Sequence, residues 1–81
     1  MARILIVNPN SSQACSAGID AAIAPFRGPA EIAVATLAEG PPGIYSWADW
    51  HAVVAPLCRL AAASDADVFV VACASDPGIE A

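Results

Sequence analysis

Apolar and polar positions along the chain alternate between strand-like and helix-like patterns. Ile4-Leu5-Ile6-Val7 is a β-branched run without polar alternation, the pattern of a strand buried on both faces of a parallel sheet. Asn8-Pro9-Asn10-Ser11-Ser12 follows, dense in turn and cap residues. Ser11 or Ser12 is positioned to cap a helix running to about Ala24, weakened by Gly18 and ended by Pro25. Phe26 to Pro29 is a connector. Ala30 to Leu37 has Ile32, Val34 and Thr36 in alternation and predicts a second strand.

The segment Glu39 to Tyr45 holds two prolines and two glycines and reads as a loop. Ser46-Trp47-Ala48-Asp49 is a capping box that starts a second helix. Trp47, Trp50, Val54, Leu57 and Ala61 recur at helical spacing and mark its expected buried face. Pro56 falls inside this pattern and predicts a kink or a split. Asp65-Ala66-Asp67 is a turn, and Val68 to Cys73 is a third strand, also expected to be buried. Asp76 and Pro77 then suit the cap and first position of another helix, within whose first turn the chain stops. The order β-α-β-α-β with right-handed crossovers predicts an α/β fold: a parallel three-stranded half-sheet of strand order 2-1-3. A single helical turn cannot hold itself together, so residues 1–81 are expected to be the partial N-terminal lobe of a larger protein.

Composition narrows the function classes. Of 81 residues, 20 are alanine, so the 58% apolar fraction overstates the core, which must rest on Ile, Val, Leu, Phe and Trp. Charged residues make up 14%, too few for a disordered or coiled-coil chain. The formal net charge is -5 and the only fixed cations are Arg3, Arg27 and Arg59, which argues against a nucleic-acid partner or an anionic membrane surface. The longest wholly apolar run, Val68 to Ala74, is far short of the roughly 20 residues of a membrane span. The apolar start is interrupted by Asn8 and Pro9 before it reaches the length of a signal-peptide core. Three scattered cysteines without such a leader imply a reducing, cytoplasmic setting. Asn10-Ser11-Ser12 matches the glycosylation pattern, by chance in that setting. With three cysteines and one histidine there is no zinc-type spacing, and no glycine-rich nucleotide motif occurs.

Open parallel sheets bind ligands at the carboxyl ends of their strands, where the strand order reverses. Two turns meet there: Asn8 to Ser12, and Cys73 to Gly78. Cys73 just before a helix start is placed either to act as nucleophile or base, because a helix N-terminus favours the thiolate, or to pack as a small hydrophobe. Asn8 and Ser11 either offer donors to an anionic or carbonyl oxygen or simply turn the chain and cap a helix. Cys15 and Cys58 read as packing residues, His51 as a surface residue, Asp76 as a cap, Asp65 and Asp67 as a solvated turn, and Trp47 and Trp50 as core anchors.

Arg3-Ile4-Leu5-Ile6-Val7-Asn8-Pro9-Asn10-Ser11-Ser12 resembles the opening of the Asp/Glu/hydantoin racemase superfamily, in particular its hydantoin (and allantoin) racemase branch. Ala72-Cys73-Ala74-Ser75-Asp76-Pro77-Gly78-Ile79-Glu80-Ala81 resembles that branch's first catalytic-cysteine motif, and Ala66 to Val71 supplies the strand before it. The resemblance implies two similar α/β lobes with the site in the cleft between them. It implies a cofactor-independent racemase, with no metal, in which two cysteines work on opposite faces of a small-molecule substrate: an amino acid, a hydantoin or a related carbonyl compound. Cys73 matches the first cysteine. Asn8, Ser11 and the Ala74 and Ser75 backbone would hold substrate oxygens, and Ile44 would line the pocket. The second cysteine of the family lies in the second lobe; neither Cys15 nor Cys58 matches its motif. Many relatives carry Glu where this chain has Tyr45. A homo-oligomer is expected. Decarboxylases and maleate isomerases use related scaffolds and form the first rival reading; a truncated, non-catalytic binding or assembly module with an open sheet edge is the second.

Overall fold

A computed structural model describes residues 2–73, 75 and 77–79. Three strands, β1 (Arg3–Asn8), β2 (Glu31–Thr36) and β3 (Val68–Val71), form one parallel sheet in the order β2-β1-β3. Helix α1 (Gln13–Ile23) and a short 3-10 turn (Ala24–Phe26) connect β1 to β2. Helices α2 (Trp47–Ala52) and α3 (Val54–Ala63) connect β2 to β3. The strand order and the α/β class are those expected from the sequence.

Local chemistry accounts for most boundaries. The Ser12 hydroxyl accepts from the Cys15 N–H at 3.2 Å and caps α1. Pro25 lies in the 3-10 turn that closes it. The Ser46 hydroxyl accepts from the Asp49 N–H at 3.1 Å, one half of the expected capping box. The other half is displaced by one residue: the Asp49 carboxylate accepts from the Tyr45 N–H, at 3.0 Å, rather than from Ser46.

Pro56 splits the second helix. It has no N–H to bond the carbonyl of Ala52, and its ring would crowd that carbonyl, so the helix breaks at Val53. The break re-aims the buried face. Val53, outside the expected set, is 1% exposed and Leu57 is buried, whereas Trp47 is 75% exposed. Trp50, Val54 and Ala61 are only half-buried. The expectation that Trp47 and Trp50 anchor the core is therefore wrong, because α2 and α3 do not share one straight apolar stripe.

The core consists of Val7, Leu37, Val53 and Leu57, with Leu5, Ile44, Leu60 and Val71 packed against it. It lies under the carboxyl ends of the strands. The third strand is not buried as expected: Val68, Phe69 and Val70 are exposed. β3 pairs on one side only, with β1, and among the described residues nothing covers its outer edge. Phe69 and Val71 instead face, with Leu57, Ala61, Pro77 and Ile79, an apolar groove of about 410 Å³.

At the opposite end of the sheet, Asp65 and Asp67 do more than sit in a solvated turn. Asp67 accepts from the Arg3 backbone N–H at 2.8 Å, and Asp65 pairs with the Arg3 guanidinium, as does Glu31 at 3.0 Å. Asp65 first, and Glu31 after it, raise the Arg3 pKa above its ordinary value. These pairs are exposed and stabilise the fold little.

Candidate functional site

Three loops converge beyond the carboxyl ends of the strands. The ladder continues past the strands: Leu37 N–H donates to Asn8 O and Ala72 N–H to Val7 O, each at 2.9 Å. This draws the β1–α1 turn, the β2–α2 loop and the segment after β3 together. The first two are also joined directly, Ser11 N–H donating to Pro41 O at 2.9 Å. Gly40 makes that approach possible, because a Cβ there would collide with the Pro9 carbonyl oxygen and stand 3.1 Å from that of Leu37.

Asn8 is 2% exposed. Its amide donates to Asn10 Oδ1 (2.9 Å), Ser16 Oγ (3.1 Å) and the Ser12 carbonyl (3.2 Å), and its Oδ1 accepts from the Asn10 N–H at 3.2 Å. Asn10 Oδ1 in turn accepts from the Ser12 N–H at 2.9 Å. The buried Ser16 hydroxyl lies 2.5 Å from Thr36 Oγ1, which donates to Gln13 Oε1 at 3.2 Å. A line of donors thus runs from Asn8 through Ser16 and Thr36 to Gln13, tying β1, α1 and β2 together. Both polar ends of the Asn8 side chain are engaged inside the chain. The Ser11 hydroxyl is half-buried and makes no hydrogen bond among the described residues.

Cys73 follows the last ladder bond and is half-buried. Its backbone N–H donates to Val71 O at 2.9 Å, and its Sγ lies 3.4 Å from the Ser75 hydroxyl. Beside it, Ile44, Tyr45, Ser46, Trp47, Trp50 and Ser75 line an open depression of about 280 Å³ whose wall, among the described residues, carries no charged side chain. Trp50 Nε1–H donates to the Ser75 carbonyl at 3.0 Å. Tyr45 is 90% exposed, with its ring over Gly43. Ile44 and Ser75 are therefore brought together, and the sheet places Asn8 and Ser11 in the neighbouring loop. Ala74 and Asp76 lie outside the described residues, and Pro77 to Ile79 form a turn.

The remaining candidates are dispersed. Cys15 and Cys58 are both exposed rather than packed, Cys15 on α1 and Cys58 on α3 at the edge of the apolar groove. His51 is exposed on α2, stacked edge-on to Trp50 at 4.9 Å. Among the described residues no group of three or more His, Cys, Asp or Glu converges as a metal site would require, and no helix is long and apolar enough to cross a membrane. Sequence reasoning missed Ser16, Thr36 and Trp50. A serine and a threonine on the inner side of their elements are legible only as polar interruptions, and a tryptophan at core spacing reads as core.

No curated protein and no solved structure matches the chain. The sequence model of the Asp/Glu/hydantoin racemase family does, over residues 4–81, a span that takes in the three converging loops and, but for Arg3, all three strands; the chain belongs to that family.

Proposed function

We propose that this chain is the first-lobe segment of a cofactor-independent racemase of the hydantoin or amino-acid type, with Cys73 as one of its two proton-transfer groups. The observation that carries the reading is the position of Cys73. It leaves β3 at the carboxyl edge of the sheet, beside the Asn8–Ser12 turn and the Ile44–Trp50 wall, in a chain of the racemase family.

The chemistry follows from what inversion of a carbon next to a carbonyl requires. The Cys73 thiolate takes the Cα proton, and the C–H electron pair moves toward the carbonyl to give an enolate. A second thiol, contributed by the second lobe, delivers a proton to the opposite face, and the roles exchange for the other enantiomer. The developing oxygen charge needs donors aimed in advance. Because the Asn8 amide and the Asn10, Ser11 and Ser12 N–H groups are already engaged, we assign that task to the Ser11 hydroxyl and to the backbone of the second turn, with Asn8 holding the first turn in shape. Ala74 and Ser75 supply the backbone of the second turn, and Ile44 the apolar floor. The wall, uncharged among the described residues, and the Asp49 carboxylate held at the start of α2 favour a substrate with an uncharged substituent over one with a second carboxylate.

The test uses the full-length polypeptide with Cys73→Ala. Racemisation should be abolished in both directions, while Cα deuterium exchange persists for one enantiomer only, the one whose proton faces the remaining base. Racemisation within tenfold of the parent rate overturns the assignment.

A further inference from the structure

Cys73 stands just beyond the sheet's hydrogen-bond ladder, in a turn closed by its own N–H to Val71 O. A proton-transfer group in such a turn needs a second fastening to keep its sulfur at a fixed distance from the substrate carbon. Trp50 provides one. Its indole N–H, a group with one donor and no acceptor, is directed at the Ser75 carbonyl at 3.0 Å from 25 residues away in sequence. Trp50 is itself held. Its backbone N–H donates to Ser46 O at 3.0 Å in the first turn of α2, and its ring meets Trp47 edge-on at 5.7 Å and His51 edge-on at 4.9 Å. Ser75, held through its carbonyl on one side, presents its hydroxyl 3.4 Å from Cys73 Sγ on the other.

We infer that Trp50 is a positioning residue of the racemase site: it holds Ser75, and the Ser75 hydroxyl in turn holds the Cys73 sulfur and donates to its thiolate. This rests on the reading of Cys73 as an acid/base given above. In this network Trp50 reaches the sulfur through Ser75. Its contribution is therefore conditional on the Ser75 hydroxyl, which separates positioning from a general role in packing.

The experiment is a double-mutant cycle on thiol reactivity, which requires no turnover. In a background with the exposed Cys15 and Cys58 replaced by serine, alkylation of Cys73 by iodoacetamide is timed for the parent, Trp50→Phe, Ser75→Ala and the pair. Trp50→Phe and Ser75→Ala should each slow alkylation by at least about threefold, and the double variant should be no slower than the slower single one, as for two members of one network. Multiplying effects, or a Trp50→Phe rate equal to the parent's, overturn the inference. Should Trp50→Phe fail to fold, hydrogen exchange of the two indole N–H groups in the parent decides instead, with Trp47→Phe assigning the signals. Trp50 should exchange at least about tenfold more slowly than Trp47, as a hydrogen-bonded group does, and equal rates overturn the inference. Failure of the Cys73 reading itself appears separately, as racemisation by full-length Cys73→Ala.

Discussion

Replacing Asn8 by alanine removes four hydrogen bonds from a side chain that is 2% exposed. Three of the partners keep another bond. Asn10 Oδ1 still accepts from Ser12 N–H, the Ser12 carbonyl still accepts from Ser16 N–H at 3.2 Å, and Ser16 Oγ still pairs with Thr36. Only the Asn10 N–H is left without a partner among the described residues. Net losses of about 0.5–1.5 kcal/mol for each of those three bonds, plus about 1 kcal/mol for the one orphaned and half-buried donor, give about 2.5–5.5 kcal/mol. That is a large share of the stability of a small domain. Urea unfolding of the purified chain, followed by far-ultraviolet circular dichroism and by tryptophan fluorescence, should show a lower midpoint with an unchanged slope. If the variant is already unfolded in buffer, Ser16→Ala, which removes the bonds to the Asn8 amide and to Thr36, gives a smaller step of about 1–3 kcal/mol. Asn8→Asp sharpens the test: it keeps the acceptor for Asn10 N–H but points an oxygen at Asn10 Oδ1 and the Ser12 carbonyl, so at pH 7 it should be at least as damaging as alanine. An Asn8→Ala chain within about 0.5 kcal/mol of the parent would refute the reasoning and return Asn8 to the role of a direct substrate ligand.

Gly40→Ala forces a methyl group against the Pro9 carbonyl and should cost about 1–3 kcal/mol, read as a lowered thermal midpoint, whereas Gly18→Ala, in open space on α1, should not lower it. Ser12→Ala removes the cap of α1 and should cost about 1 kcal/mol in the same assay, while Ser12→Asp should retain most of that stability. Residues 1–81 alone should racemise nothing, because Cys15 and Cys58 lie on different elements from Cys73 and neither lines the depression beside it. Optical rotation and Cα deuterium uptake followed together would show this, and a loss of optical activity that depends on Cys73 would contradict it.

Element type and strand order were legible because each rests on a local signal. The apolar run Ile4 to Val7, the caps Ser12 and Ser46, and the breakers Pro25 and Pro56 each act within a few residues of themselves, and the parallel order follows from the handedness of the crossovers. What depended on how two elements meet was not legible. Helical spacing alone put Trp47 on the core side. The break at Val53 removed it, since a change of axis between α2 and α3 cancels the register that carries a stripe from one to the other. The burial of β3 was read from its own residues, whereas burial is set by what lies beside them. The loops carrying Cys73, Asn8 and Ile44 were legible from strand ends and topology, but the partner of the Asn8 amide was not, because Ser16 and Thr36 carry no motif.

The two sides of the candidate site are built by different means. The Asn8–Ser12 turn is a closed polar network with its donors and acceptors paired internally, joined to the β2–α2 loop by Ser11 N–H and by the close approach at Gly40. A network so satisfied resists rearrangement and fixes the position of the Ser11 hydroxyl, a donor with no partner among the described residues. Among the described residues, the Cys73 side has a sulfur, the Ser75 hydroxyl at 3.4 Å and an indole tether, and Tyr45, Trp47 and Trp50 in its wall. On the proposed reading the same sulfur is base for one enantiomer and acid for the other. The proposed reading therefore divides the work: the rigid polar turn would hold charge that develops on oxygen, and the thiol would move the proton.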